Sequence, residues 1–234
     1  MRILAIDTTT EACSAALLVS GQVFARAEEP GRDHADRILV MIDEVLAEAG
    51  VTLDSLDAMA ACIGPGAFSG VRISVAIAQG LCFGAGLRAV PISSLEALAY
   101  ARMRDGAGRV LACLDARMNE VYWGCYRADP VRGLSPIAGP ALGAPASVVL
   151  PADADAAGAA YTGVGRGFTA YPQLTQLAGL SVEPADLAAL PDARAMAELG
   201  ALRLAAGEAI DPSALTPLYL RDNVALTEAQ RGVH

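Results

Sequence analysis

Residues 58–74 read AMAACIGPGAFSGVRIS, and this stretch decides how the first half of the chain is built. It begins with a short apolar run at 58–63, passes through a loop with three glycines and continues into an apolar helical pattern. The order predicts a buried strand, a glycine loop and a helix over about 69–84. Such a junction can turn backbone N–H groups at the start of the helix toward an anion.

The glycine loop lacks the side chains of the known phosphate-binding loops. A Walker A loop ends in Lys followed by Ser or Thr, and all 17 basic residues of this chain are arginines. Gly66 and Gly70 are separated by three residues, so the spacing G-x-G-x-x-G fails by one. Two interpretations stay open: a backbone cradle in which Gly64 and Gly66 approach a nucleotide, and a tight turn that leads into a helix.

Composition and charge restrict the partners of the chain. It has 234 residues, of which 54% are hydrophobic, enough for one large domain or two small ones. The net charge is −9 and the arginines are spread along the sequence, so the chain alone should repel a nucleic-acid backbone. If the function involves RNA, we expect another protein to hold it.

The cysteines and the apolar runs indicate a cytoplasmic protein. The five cysteines are never spaced C-x-x-C, and most lie in apolar runs, which favours buried reduced thiols. No secretory signal is visible at the start. The longest uncharged apolar stretch, 73–87, is shorter than the ~20 residues that cross a bilayer. We therefore expect a soluble protein without a membrane segment.

Strand and helix patterns alternate along the chain and restart halfway. The first fifty residues predict three strands and a helix over 34–49, which Asp33 can cap and Gly50 ends. After a strand at 87–92, Ser93 and Glu96 form a capping box for a helix over 95–102. The stretch 130–157 predicts loops and one short helix.

A glycine-rich hinge at 105–108 precedes an echo of the N-terminal strand. RILAID at 2–7 resembles RVLACLD at 109–115, and both runs end in an aspartate. The echo favours two related lobes, each a mixed sheet with flanking helices, and hence an α/β fold. We place the lobes at 1–104 and 105–234, with the C-terminal segment packing back on the first.

The two strand-ending aspartates are candidates for nucleotide chemistry. Asp7 and Asp115 could hold Mg²⁺ through water, and the hydroxyl of Thr8 could contact a phosphate. The alternative is that Asp7 and the threonines only shape a turn. Arg117, Asn119 and Glu120 are likewise interpreted as a polar turn before the strand at 121–126.

Histidine-based chemistry is disfavoured by number. The chain has two histidines, His34 and the terminal His234. Residue 38, one helical turn after His34, is an isoleucine and cannot complete a helical metal pair. A serine or cysteine nucleophile would also lack a base. We therefore expect no catalytic residues and no metal site, and His34 as a solvated residue at a helix start.

The helices over 34–49 and 69–84 carry more apolar surface than a chain of this size needs for itself. Small residues recur at four-residue spacing in the second helix, which lets another helix approach closely. We predict a protein interface here, while the alternative is that both helices only cover their own sheet. The predicted interface residues are Ile38, Met41, Ile42, Val45, Ala76 and Gly80.

Five segments together resemble the TsaB (YeaZ) family. They read RILAIDTTTEACSAAL at 2–17, GPGAFSGVRIS at 64–74, SSLEALA at 93–99, DARMNEVYW at 115–123 and PLYLRD at 217–222. They occur in the family's order and span nearly the whole chain.

The resemblance implies an actin/Hsp70-like (ASKHA) fold and a role in making threonylcarbamoyladenosine beside the tRNA anticodon. It implies a direct partner, the catalytic paralogue TsaD, with the TsaE ATPase joining that pair and tRNA reached only through the complex. A homodimer is implied for the chain alone. The paralogue's H-x-x-x-H metal pair is His34-Ala-Asp-Arg-Ile38 here, which agrees with a non-catalytic subunit.

Two functions follow as hypotheses. The first is a scaffold that binds TsaD and supports threonylcarbamoyl transfer, with no cofactor beyond weak or vestigial nucleotide binding. The second is a stand-alone ATP-dependent phosphotransferase of the sugar-kinase type, with Asp115 as the only base near the predicted phosphate loops. A peptidase, which older naming of the wider family suggests, has no support in these residues.

Overall fold

The computed structural model describes residues 1–31, 33–151 and 160–221. Its first lobe is built on a mixed sheet of five strands in the order β3-β2-β1-β4-β5. The strands β1 to β3 form an antiparallel meander, and β4 and β5 add to it in parallel with β1. Their bounds are β1 Arg2–Asp7, β2 Cys13–Val19, β3 Gln22–Glu28, β4 Ala58–Cys62 and β5 Arg88–Ile92.

The second lobe repeats this topology. Its strands are β6 Arg109–Asp115, β7 Val121–Asp129, β8 Gly133–Gly143, β9 Tyr161–Val164 and β10 Leu180–Ser181. The order β10-β9-β6-β7-β8 is the first sheet read from its other edge, with the antiparallel and parallel pairs in equivalent places. The central strands β1 and β6 correspond, so Asp7 and Asp115 occupy equivalent strand ends. This confirms the predicted fold of two related halves.

Five α-helices cover the sheets within the described residues, and the last of them in each lobe packs against the sheet of the other. They are α1 His34–Ala49, α2 Phe68–Ala85, α3 Ser94–Arg104, α4 Gly167–Ala170 and α5 Ala193–Ala205. Helices α1 and α2 lie on the outer face of the first sheet. Helix α3 contacts β6 and β7, whereas α5 contacts β1 and β2. One hydrophobic core therefore joins both lobes.

Strand β1 shows why the core has two layers. Ile3 and Ala5 face α5 and the second lobe, while Leu4 and Ile6 face α1 and α2, and all four are fully buried. A strand covered on both faces has a continuous apolar sequence rather than an alternating one.

Most local predictions are confirmed, with small shifts of the helix ends. The capping box is present, because Ser93 Oγ accepts from Glu96 N at 3.1 Å and Ser93 N donates to Glu96 Oε2 at 2.8 Å. Helix α1 ends at Gly50, whose φ of 65° is left-handed. Asp33 precedes α1 as predicted, but its side chain makes no capping hydrogen bond.

The prediction of loops and a short helix over 130–157 was wrong for its first part. Strand β8 runs through Gly133–Gly143 at the edge of the second sheet and pairs with β7, with a register shift near Cys125. Proline and glycine made this stretch look irregular, yet an edge strand tolerates both because one side of it needs no pairing. Residues 152–159 lie outside the described part.

Helix α2 is, by length and composition alone, apolar enough to cross a membrane. A core helix of a globular protein passes the same test, and six residues of α2 are buried inside the chain. All five cysteines are free and buried, as predicted.

Candidate functional site

A cleft of about 980 Å³ lies between the lobes. Its walls come from the loop after β1, the glycine loop before α2, the turn after β6 and the segment at 218–221. Three of the predicted nucleotide-binding candidates, Thr8, Gly66 and Asp115, lie on these walls, so the polar groups here decide whether a phosphate fits.

Asp7 is enclosed rather than presented to the cleft. Its carboxyl is fully buried, and one oxygen accepts hydrogen bonds from Thr9 N and Thr9 Oγ1, both at 2.7 Å. Burial raises the pKa of Asp7, and the bonds from Thr9 offset only part of that rise. A raised pKa favours the neutral carboxyl, which binds a cation less well than a carboxylate does. The structure therefore supports the alternative interpretation, in which Asp7 shapes a turn.

The glycine loop packs directly on the loop after β1. Ala67 N donates to Thr9 O at 2.7 Å, and Thr8 Oγ1 donates to Gly70 O at 2.7 Å. A Cβ placed on Gly66 would overlap Thr9 O, and one on Gly70 would overlap Thr8 O. The glycines are therefore required by the close approach of two backbones.

These contacts occupy two hydrogen-bond donors that a phosphate could use. The Thr8 hydroxyl and the Ala67 N–H both donate to backbone carbonyls within the protein. The Gly64 carbonyl accepts from Ser94 N at 2.9 Å, which ties the loop to the start of α3. The Thr8 and Ala67 donors are therefore not available to a phosphate in this structure. The structure thus favours the second interpretation of the loop, as a tight entry to α2.

Asp115, on the opposite wall, is occupied by neighbouring residues. It accepts from Arg117 N at 2.8 Å, and its other oxygen lies 3.0 Å from Arg117 Nη1. Arg117 also reaches across the cleft to Glu11, with 3.1 Å between Nη2 and Oε1. Asp115 therefore belongs to an ion-pair network that joins the lobes.

The polar turn predicted after β6 has a feature that the sequence did not signal. Arg117, Met118 and Asn119 have φ of 60°, 56° and 60°, three left-handed residues in a row without a glycine. Arg221 holds this turn, because its Nη2 donates to Ala116 O at 3.1 Å and forms an ion pair with Glu120. The quoted segments around 115–123 and 217–222 thus meet in space, although residue 222 lies outside the described part.

The predicted interface on α1 needs correction. The side chains of Ile38, Met41, Ile42 and Val45 are buried in the core between α1 and the first sheet, so a partner cannot reach them. A stripe at three- and four-residue spacing indicates burial, and here its own sheet provides that burial. The outward face of α1 instead exposes Leu39 and Val40.

The other two predicted interface residues, Ala76 and Gly80, do face outward. They belong to an exposed row along one side of α2 at four-residue spacing: Phe68, Arg72, Ala76, Gly80 and Gly84. A Cβ on Gly80 or Gly84 would meet nothing within 4 Å, so no contact inside the chain requires a glycine there. Phe83, next to this row, is 61% exposed.

His34 was predicted to be a solvated residue at a helix start, but its ring also contacts the backbone of another loop. Its Nε2 lies 3.0 Å from Thr10 O, which ties the start of α1 to the loop after β1. Across residues 1–31, 33–151 and 160–221, no three His, Cys, Asp or Glu side chains are grouped so as to hold a metal ion.

Comparison with known proteins gives consistent matches. The profile of the family described as "TsaD: tRNA N6-adenosine threonylcarbamoyltransferase" matches residues 26–229. The "tRNA threonylcarbamoyladenosine biosynthesis protein TsaB" of Escherichia coli (strain K12) is 39% identical over 96% of both chains. Its namesake from Haemophilus influenzae is 39% identical over 96% of this chain and 95% of the relative.

A solved structure described as "YeaZ from Pseudomonas aeruginosa" superposes with a TM-score of 0.84 at 38% identity. The match covers 94% of this chain and 99% of that one. A second, described as an uncharacterized protein with similarity to peptidase YEAZ from the same organism, gives 0.83 at 39% identity over the same shares.

Proposed function

This chain belongs to the TsaB (YeaZ) family, and from that premise we propose that it acts in the biosynthesis of threonylcarbamoyladenosine in tRNA as a non-catalytic subunit. It binds a TsaD-type catalytic subunit through the outer helices of its first lobe and supports threonylcarbamoyl transfer by that partner. The TsaE ATPase and tRNA join through the complex, in the cytoplasm.

The exposed face of α2 is the observation that carries the scaffold role. A glycine inside a helix costs about 1 kcal/mol relative to alanine. Gly80 and Gly84 bear that cost on a surface where a Cβ would meet nothing within 4 Å. A second helix packed against α2 would explain these glycines, because the absence of side chains lets the two helix backbones approach closely.

The surrounding surface suits the same contact. Leu39 and Val40 on α1 and Phe83 on α2 are exposed apolar side chains of the helical layer that covers the first sheet. Exposed aliphatic and aromatic groups around a row of small residues form the apolar core of a helix-to-helix interface.

The phosphotransferase alternative is less well supported. Two donors that could hold a phosphate are bonded to backbone carbonyls instead: Thr8 Oγ1 donates to Gly70 O, and Ala67 N donates to Thr9 O. Asp115, the remaining base candidate, is paired with Arg117. These contacts favour a cleft that is internally satisfied over one built for phosphoryl transfer.

Co-purification tests the scaffold proposal. The chain and the TsaD-type subunit of the same organism are expressed together, and the complex is measured by size-exclusion chromatography with light scattering. Gly80→Leu and Leu39→Asp should abolish the complex, while Gly108→Leu, at an open site near the hinge, should preserve it. A wild-type pair that does not associate would refute the proposal.

A modification assay with this chain left out tests its role in the reaction. We expect threonylcarbamoyladenosine formation to fall to background without the chain and to return when it is added back. Full activity without it would contradict a supporting role.

A further inference from the structure

Side chains from three distant segments gather beside the N-terminal end of α2. The Arg72 guanidinium carbon lies 3.7 Å from the centre of the Phe68 ring, and Arg72 Nε donates to Tyr219 Oη at 2.9 Å. The rings of Phe68 and Tyr219 are 5.5 Å apart. Arg221 Nη1 lies 3.2 Å from Met118 Sδ in the left-handed turn. We call these five residues the aromatic–arginine cluster.

The cluster is exposed, and its side chains hold one another in place. Met118 is 78% exposed, and Phe68 and Tyr219 are each nearly half exposed. Because stacking and hydrogen bonds already fix Phe68, Arg72 and Tyr219, a partner would lose little side-chain entropy on binding them. Tyr, Phe, Met and Arg are also the residues enriched in interface cores.

Arg72 differs from three other arginines near the cleft in the groups that its guanidinium contacts. Arg117, Arg166 and Arg221 form ion pairs with Glu11, Glu29 and Glu120, respectively. Among the residues that the structure describes, no carboxylate forms an ion pair with Arg72. Its Nε donates to the Tyr219 hydroxyl, and its guanidinium lies over the Phe68 ring. Its positive charge is therefore free to attract an external carboxylate.

The cluster continues the outward face of α2 onto the second lobe. Phe68 and Arg72 are the first two residues of the exposed row that leads to Ala76 and Gly80. Residues 218–221 cross from the first lobe, where Leu218 N donates to Ile63 O at 2.7 Å, to the turn held by Arg221. Helix α2 and the left-handed turn thus present one surface from both lobes.

We infer that the TsaD-type subunit docks on both lobes at once, with a carboxylate flanked by apolar side chains placed against Arg72 and Met118. This inference rests on the proposed function, because it extends the contact proposed for α2. A nucleic acid fits the surface less well. The chain has a net charge of −9, and Glu11, Asp115 and Glu120 lie close by and would repel phosphates.

Binding measurements with matched variants test the inference. The affinity of the TsaD-type subunit is measured by isothermal titration for wild type, Arg72→Gln, Arg72→Lys and Met118→Asn. Asparagine is chosen because it accepts the left-handed φ of residue 118. Arg194→Gln at the start of α5 and Val131→Asn in the β7–β8 hairpin, both exposed, are the controls.

We expect Arg72→Gln to raise Kd more than about tenfold and Met118→Asn about fivefold, with controls within about twofold. Arg72→Lys, which keeps the charge and loses the planar stack, should fall between wild type and Arg72→Gln. The wild-type Kd should also rise with salt more steeply than that of Arg72→Gln.

The outcomes separate this inference from the proposed function. If wild type binds and Met118→Asn binds within about twofold of it, docking on both lobes is refuted while the scaffold role stands. If wild type fails to bind, the scaffold role itself is refuted. Loss of tRNA binding or of self-association in Arg72→Gln, with partner affinity intact, would also overturn the inference.

Discussion

The carbonyl oxygen of Thr9 lies where a Cβ of residue 66 would be, so the glycine at Gly66 is required by the loop after β1. The same oxygen accepts a hydrogen bond from Ala67 N at 2.7 Å. One backbone contact therefore fixes the start of α2 relative to β1. It sets the direction of the helix that carries the proposed partner surface.

Replacing the closely packed and the open glycines should have opposite effects on stability. Gly66→Ala and Gly70→Ala each force a Cβ into a backbone oxygen, and we expect a loss of about 3 kcal/mol. Gly80→Ala has open space and a helical backbone, so it should gain about 0.5–1 kcal/mol. Urea unfolding of the isolated chain measures all three. Similar values for Gly66→Ala and Gly80→Ala would contradict the close approach.

Two aspartate substitutions on α1 should distinguish the core from the surface. Ile42→Asp places a charge in the buried layer under the helix and should cost about 4 kcal/mol or more, enough to unfold much of the protein. Leu39→Asp lies on the exposed face and should change stability by less than about 0.5 kcal/mol. Circular dichroism melts provide the comparison. A folded Ile42→Asp with a normal melting temperature would refute the assignment of this face.

Asp7 should make stability depend on pH in a defined direction. Burial raises the folded-state pKa of Asp7 above the ordinary value of 3.8, so the folded state holds the proton more tightly than the unfolded state. Its contribution is complete below that value and is lost as pH rises through the folded pKa. Asp7→Asn removes this titration and keeps an oxygen that can accept from Thr9. The stability of wild type relative to Asp7→Asn should therefore fall as the pH rises above the ordinary value of 3.8 in denaturant titrations, and a constant difference would contradict it.

The cysteines should be unreactive in the folded protein. Burial raises the pKa of Cys82 to about 11 and the pKa values of Cys13 and Cys125 to about 12. Burial likewise raises the pKa of Cys62 and Cys113. We expect iodoacetamide at pH 8 to label none of the five thiols in native buffer and all five in concentrated urea, as counted by mass spectrometry. Rapid labelling of any one in native buffer would show a mobile or exposed site.

Several elements could be predicted from residues that are neighbours in the chain. The end of α1 at Gly50 and the capping box of Ser93 and Glu96 depend on backbone preferences and hydrogen bonds within a few residues. The echo of 2–7 in 109–115 was enough to predict two related lobes. Strand β8 could not be predicted in this way, because its glycines and prolines are tolerated only at the edge of a sheet that β7 completes.

The stripe on α1 shows the limit of periodicity. Ile38, Met41, Ile42 and Val45 were predicted to contact a partner, but the first sheet of the same chain covers them. Spacing reports that a face is apolar and does not report what packs on it. On α2, by contrast, only the three-dimensional structure shows that Gly80 and Gly84 have nothing near them.

The sequence by itself determined most strands and helices of the first lobe, the duplication and the family, because these depend on local patterns and on quoted segments in a fixed order. Only the tertiary structure decided that the glycine loop packs on Thr8 and Thr9, and that Arg221 secures the left-handed turn at Met118. These pairs are far apart in the chain. The free energy that brings them together comes from burial of the whole core, which no local pattern contains.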